Sequence, residues 1–261
     1  MNKIHSESFF LSAGEANAEH EMSLPLLVSK LIDIATAHAN SLGIGNPSMS
    51  DINAGWVLSR LTIEMQSYPK VDSNYTISTW VESTNRHFSQ RAFKISSDAG
   101  EVYGYARSIW MVMDTVNHTN VGLSHLNFPA EIIDGTIPPI ETQARHIPIV
   151  ASAEDGVQSR AYLVASTAPF DYKFEYCDLD FYRHVNTVRY VNLLLNRFTL
   201  EEHDATFVER LELSFLHEAT YGMETCVLRS DLGTPLHSAF QISRKDDGTP
   251  LFFARVKRKN R

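Results

Sequence analysis

Residues 92–107 read AFKISSDAGEVYGYAR, and residues 239–255 read AFQISRKDDGTPLFFAR. The two stretches share Ala-Phe-x-Ile-Ser, a turn ending at Gly100 or Gly248, and a closing Ala-Arg. Residues of strand type on both sides of a glycine-bearing turn predict a β-hairpin in each. A hairpin met twice, each time downstream of one helical pattern and two or more strand patterns, means that the chain is built from two similar halves. The first helix is predicted to start at the N-cap Ser23, with Pro25 in its first turn and Leu24, Leu27, Val28, Leu31, Ile32 and Ala35 on its apolar stripe. Gly43 and Gly45 stop it. The second is predicted to follow the cap Asn186, with Val188, Val191, Leu194, Leu195 and Phe198 as its apolar face.

The strands alternate. Val57, Leu61, Ile63 and Met65 share one parity against Arg60, Thr62, Glu64 and Gln66, and Phe207, Leu211, Leu213 and Phe215 oppose Arg210, Glu212 and Ser214. Period two with one polar face suits antiparallel sheets. Each helix has one stripe to bury, so the expected fold is α+β, each half a curled antiparallel sheet around one long helix. The predicted boundaries are 1–125 for the first unit, 126–160 for a linker punctuated by Pro129, Pro138, Pro139 and Pro148, and 161–261 for the second unit.

A net charge of −8 argues against a general nucleic-acid binder. No segment reaches the roughly 20 apolar residues of a membrane span, and MNKIHSESFF lacks the apolar run of a signal peptide. Two cysteines, Cys177 and Cys226, make no disulfide framework and fit a reducing, cytoplasmic setting. There is no GxSxG elbow, P-loop, HExxH or zinc-ligand spacing, so the expectation is no cofactor and no metal. Gly43-Ile44-Gly45 follows a helix rather than a strand and is no dinucleotide fingerprint.

Residues 178–190, DLDFYRHVNTVRY, load ionisable groups onto the start of the second helix. Read blandly, Asp178 or Asp180 is an electrostatic cap, Asn186 an N-cap and His184 a satisfied polar residue. Read chemically, amides at a helix start stabilise an oxyanion, His184 orients or deprotonates a water, and Asp180 positions the imidazole.

This segment, with Gly55-Trp56-Val57-Leu58-Ser59-Arg60-Leu61-Thr62-Ile63-Glu64, Tyr68-Pro69, Ile77-Ser78-Thr79-Trp80, Gly100-Glu101-Val102 and Ser108-Ile109-Trp110-Met111-Val112-Met113, resembles the acyl-acyl-carrier-protein thioesterases of plants and bacteria over nearly the whole chain. The resemblance implies two tandem hotdog units with the catalytic residues in the second, and the first, whose helix face and strands are rich in Leu, Ile, Val, Met and Trp, is the expected source of the acyl-chain pocket. It implies hydrolysis of acyl-acyl-carrier-protein, release of a free fatty acid and an end to chain elongation. The family's segment reads Asp-x-Asn-x-His-Val-Asn. Asp180 and His184 fall on its first and fifth positions, and Glu218 on its catalytic glutamate.

Two positions depart from the pattern. Tyr182 stands where the family has asparagine, with Tyr182 and Asn186 as further candidate contacts to substrate or water. Ala219 stands where plant members carry a cysteine, which points to water activation rather than a cysteinyl intermediate. Glu218 is then the expected general base, with oxyanion donors near Val185–Asn186, and both cysteines are read as structural. The implied partner is acyl carrier protein, with no nucleic acid and no membrane; a homodimer is compatible with the reading. The basic tail Arg255-Val256-Lys257-Arg258-Lys259-Asn260-Arg261 is the candidate docking patch for that acidic carrier. Other readings are an acyl-coenzyme A thioesterase, a hotdog dehydratase, or a non-catalytic acyl-binding or sensing protein.

Overall fold

The computed structural model describes residues 2–50, 53–117, 119–123, 128, 130–152 and 161–261. They form two compact units, Met1–Glu141 and Thr142–Arg261.

The first unit runs β1 (Ile4–Phe10), α1 (Leu24–Ser41), α2 (Asn46–Ser50), β2 (Ala54–Met65), β3 (Asn74–Thr84), β4 (Ser89–Ser97) and β5 (Val102–Asp114). Its strands lie in the order β1-β3-β4-β5-β2, all antiparallel. The second unit runs β6 (Ile149–Val150), β7 (Leu163–Val164), β8 (Phe170–Lys173), α3 (Thr187–Leu195), α4 (Leu200–Ala205), β9 (Thr206–Phe215), β10 (Glu224–Asp231), β11 (His237–Arg244) and β12 (Pro250–Asn260). Its main strands lie in the order β8-β10-β11-β12-β9, again antiparallel, while β6 and β7 form a short parallel pair. The two orders correspond strand for strand. The repeated stretches are the hairpins β4–β5 and β11–β12, and both turn glycines adopt the positive φ that only glycine takes without strain (Gly100 +84°, Gly248 +71°).

The helix caps agree with the sequence. Ser23 accepts from Leu26 N, Asn186 accepts from Val188 N, and Gly43 sits at φ +74° just beyond the α1 C-cap. The buried faces differ in detail. In α1, Ile34 and His38 are buried and Ile32 only half-buried, because the stripe runs on through 31, 34, 35 and 38. In α3 the buried residues are Tyr190, Val191, Leu193 and Leu194. The Tyr190 ring stacks on Phe252 at 4.8 Å and lies edge-on to Phe174 and Phe215, so a tyrosine rather than Val188 or Leu195 anchors the helix to its sheet. In β2, Leu58 rather than Val57 is buried, because a β-bulge between Leu58 and Arg60 shifts the register against β5.

Much of the stretch expected as a linker is packed onto one unit or the other. In the first unit Trp80 Nε1 donates to Thr136 O at 2.7 Å, and Ile132 is buried with Ala39, Leu42 and Ile44. In the second, Gln143 Nε2 donates to Leu213 O and Ser214 Oγ, Ala144 N donates to the Glu212 carboxylate, and the His146 ring stacks on Phe253 at 4.3 Å. This cover buries Glu212 and Ser214, on the β9 face expected to meet solvent. Residues 124–127, 129 and 153–160 of the stretch lie outside the described residues.

Candidate active site

The site loop begins where a turn at Tyr176–Asp178 leaves β8. Asp178 is buried, and its Oδ2 accepts from Tyr172 Oη at 3.0 Å and Glu175 N at 2.8 Å. Those bonds fix the turn. The chain then folds back on itself. Asp180 N donates to His184 O at 2.8 Å, and Asp180 Oδ1 accepts from Tyr182 N at 2.9 Å and His184 N at 3.0 Å. Arg183 closes the turn at φ +68°, in the left-handed region that a non-glycine residue occupies only when its surroundings hold it. Leu179 bridges Val185, and His184 bridges Thr220, which ties the loop to the segment after β9.

That bridge brings the expected residues together. Glu218 lies just past the end of β9, two residues from Thr220, on the same side of the chain as His184. His184 Nε2 is 3.4 Å from Glu218 Oε2, with both side chains part-exposed. Burial first, and then the Glu218 charge, push the Tyr190 phenol well above its ordinary value. His184 and Glu218 thus face each other, while Asp180 shapes the loop that carries the imidazole.

Tyr182 and Asn186 have different surroundings. The Tyr182 ring packs on Phe181 at 3.9 Å, and its hydroxyl bonds to no described residue. Asn186 Oδ1 caps α3 through Val188 N at 3.0 Å. The amides expected as oxyanion donors are already engaged: Val185 N donates to Ala219 O and Asn186 N to Asp178 O, each at 2.8 Å. Both precede the helix, where the extended chain still pairs with its neighbours. Thr187 N, the first amide of α3, has no acceptor among the described residues and is the available helix-start donor. Sequence reasoning missed it, although its place directly after the Asn186 cap marks it.

Both cysteines are unpaired. Cys177 is exposed, so packing gives it no structural role, whereas Cys226 is half-buried on β10 and burial raises its thiol. Among the described residues no group of three His, Cys, Asp or Glu side chains is placed to hold a metal ion. The basic tail is partly tied down, with Lys257, Lys259 and Arg261 exposed. It forms the end of β12, Lys257 pairs with Glu209 at 2.7 Å, and buried Arg258 pairs with Glu202 at 2.7 Å.

Comparison with known proteins matches residues 2–122 to the acyl-ACP thioesterase N-terminal domain and residues 164–246 to the acyl-ACP thioesterase C-terminal domain. The palmitoyl-acyl carrier protein thioesterase of Gossypium hirsutum is 26% identical over 82% of this chain and 52% of that protein. The oleoyl-acyl carrier protein thioesterase of Coriandrum sativum is 24% identical over 97% of this chain and 72% of that one. The chain thus spans about half the length of the first of these relatives and somewhat under three quarters of the second. An acyl-ACP thioesterase of Bacteroides thetaiotaomicron shares the fold with a TM-score of 0.85 at 24% identity, covering 98% of both chains. Two tandem hotdog units, each with five main antiparallel strands and a helix, are the architecture of this chain. The chain belongs to the acyl-ACP thioesterase family.

Proposed function

We propose that this protein hydrolyses the thioester of an acyl chain carried on acyl carrier protein, releasing a free fatty acid and ending chain elongation. The observation that carries the reading is the His184–Glu218 pair, 3.4 Å apart, within the residues that match the family's C-terminal domain. Glu218 takes a proton from water as the water oxygen attacks the thioester carbonyl. The oxyanion that forms is stabilised by Thr187 N–H and by the imidazole of His184. One preorganised donor of this kind contributes roughly 3 kcal/mol in the transition state. Collapse of the tetrahedral species breaks the C–S bond, and the proton held by Glu218 passes to the departing thiolate. Asp180 holds the loop that carries the imidazole by accepting from the backbone amides of Tyr182 and His184. No cysteine takes part, since Ala219 follows Glu218.

The acyl chain is proposed to lie against the apolar inner face of the first unit. Each added CH₂ contributes about 0.8 kcal/mol, so two more carbons favour the longer chain by about tenfold, and a preference for a shorter chain requires a steric stop. Acyl carrier protein rather than coenzyme A is proposed on family membership. The pairing of buried Arg258 with Glu202 takes one cation out of the proposed docking patch at the tail, and exposed Lys257, Lys259 and Arg261 remain to it. Two unpaired cysteines support a reducing, cytoplasmic setting. The test is a hydrolysis panel that varies chain length on both carriers. Faster turnover of the carrier-protein thioesters is expected; a consistent preference for coenzyme A thioesters would refute the choice of carrier.

A further inference from the structure

The loop that carries His184 has a counterpart in the first unit, built by the same backbone bonds. Asn17 N donates to Glu21 O at 2.8 Å, as Asp180 N does to His184 O. Asn17 Oδ1 accepts from Glu19 N and Glu21 N, as Asp180 Oδ1 does from Tyr182 N and His184 N. Glu21 bridges Lys70 as His184 bridges Thr220, and Asp72 N donates to Leu11 O as Gly222 N does to Phe174 O. The turn Ala13–Glu15 therefore corresponds to Tyr176–Asp178, and Val71 to Tyr221.

On this shared scaffold the outward side chains differ. Tyr176, Phe181 and Tyr221 are 81%, 78% and 63% exposed, where the first unit has Ala13, Ala18 and Val71. The loop thus forms without aromatic rings, and rings left in water add nothing to it. Tyr182 packs on Phe181, and its counterpart is Glu19. Arg183 is exposed at the tip of the turn, with no carboxylate partner among the described residues. These side chains border the reacting groups. Tyr221 follows Thr220, whose bridge holds His184, and stands three residues after Glu218. Phe181 to Arg183 fill the turn between Asp180 and His184, and Tyr176 O accepts from Leu179 N at the foot of that turn.

We propose that Tyr176, Phe181, Tyr182 and Tyr221, with Arg183, form the surface on which acyl carrier protein docks to present its thioester. The proposal rests on the thioesterase reading and adds the place of contact. A thioester carried on a phosphopantetheine arm reaches Glu218 only by crossing the surface around it, with the carrier at the root of the arm. Aromatic rings and arginine are the side chains that dominate partner contacts. The guanidinium fork of Arg183 matches the phosphate of the arm, and its charge opposes that of the acidic carrier. The cations of the tail lie at the opposite end of β12 from Pro250, whose carbonyl accepts from His217 Nδ1, so the rings and not the tail flank the reacting groups.

The test uses the full-length protein carrying Tyr176→Ser/Phe181→Ser/Tyr221→Ser or Arg183→Asn, asparagine being a residue that tolerates the positive φ at that position. KM for an acyl-acyl-carrier-protein is expected to rise at least about tenfold in the triple variant and about threefold in Arg183→Asn. For the N-acetylcysteamine thioester of the same acyl chain, which lacks carrier and phosphate, kcat/KM is expected to stay within about twofold of wild type. An unchanged carrier KM would overturn the proposal. An equal loss on the N-acetylcysteamine or the coenzyme A thioester would also overturn it, since the rings would then not read the carrier. A wild-type dimer that the triple variant dissolves in sedimentation would assign the rings to a second copy of the chain and overturn it too. If the triple variant does not fold, the three single variants are read in its place, each with a carrier KM raised about threefold. Calorimetry with the unacylated holo-carrier reads the surface without hydrolysis: wild type is expected to bind at least about tenfold more tightly than the variant, and equal binding would overturn the surface. A wild-type protein that binds the carrier and hydrolyses no thioester would refute the thioesterase reading while supporting the docking surface.

Discussion

Replacing Asp180 with asparagine separates two roles that one side chain combines. The first unit supplies the control: Asn17 builds the same loop with the same two amide bonds, so the loop's shape needs an acceptor oxygen and not a charge. Asp180 Oδ1 accepts two N–H groups at 2.9 and 3.0 Å. Exchanging two charge-assisted bonds for two neutral ones costs about 2 kcal/mol in total, whereas alanine forfeits both and costs about 4 kcal/mol. In a chain of this size each kcal/mol moves Tm by about 2–4 °C. Asp180→Asn should therefore melt about 4–8 °C below wild type, and Asp180→Ala about twice as far below. Turnover should behave differently. With the negative charge on the loop that carries His184 proposed to act in the reaction, Asp180→Asn loses about 100-fold in kcat, the lower end of what a group assisting proton transfer contributes. Thermal melts and steady-state hydrolysis of an acyl-acyl-carrier-protein substrate read both quantities. A kcat within twofold of wild type for Asp180→Asn would refute the electrostatic role and leave Asp180 a loop-shaping residue like Asn17.

Three further outcomes follow from the same structure. His38 is buried against the Arg91 guanidinium, 2.8 Å from its Nδ1, and burial first and then that charge hold it down to about 4. The unfolded chain therefore takes up this proton first as pH falls. Stability contributed by the neutral ring is present above about pH 6.5, is lost progressively down to about pH 4, and amounts to about 3 kcal/mol. His38→Gln should flatten the Tm–pH curve across that window, and an unaltered slope would contradict the assignment. Gly104→Ala should lower Tm by several degrees, since a Cβ there would stand 2.3 Å from Glu64 O and 3.0 Å from Met65 Cα; a wild-type Tm would show that β2 and β5 can separate at that point. Tyr182→Asn should leave Tm within about 2 °C and kcat within about threefold, because the tyrosine hydroxyl bonds to no described residue. A tenfold rise in kcat would show that the family's asparagine supplies a donor this chain lacks.

Period and punctuation made the architecture legible. The repeated hairpins, the caps Ser23 and Asn186 and the stop at Gly43 are local signals, and each stands where the sequence places it. Signals that depend on neighbours were not legible. The Leu58–Arg60 bulge moves burial from Val57 to Leu58, and nothing in the β2 sequence announces an inserted residue. Glu212 and Ser214 read as a solvent face because the cover comes from an aperiodic stretch that binds through side-chain amides. His38 and Arg91 are buried by each other and by Thr79, a polar cluster that apolar periodicity does not register.

Within the site, the resemblance named Asp180, His184 and Glu218, and the loop bridge at His184–Thr220 explains how residues far apart in sequence meet. The likeness of the first unit's loop to the site loop is not legible in the side chains. Asn17-Ala18-Glu19-His20-Glu21 shares no residue with Asp180-Phe181-Tyr182-Arg183-His184 position by position, and only the hydrogen-bond pattern is common.

The central claim is that Glu218 activates water for thioester hydrolysis. Its most direct test is thiol release from acyl-acyl-carrier-protein by wild type and Glu218→Gln under identical conditions, with melts to verify the fold. The amide retains the shape of the carboxylate and one acceptor oxygen but cannot accept the proton of water. The account predicts a kcat at least about 100-fold lower, with KM and Tm close to wild type. A folded Glu218→Gln enzyme that turns over at the wild-type rate would contradict it.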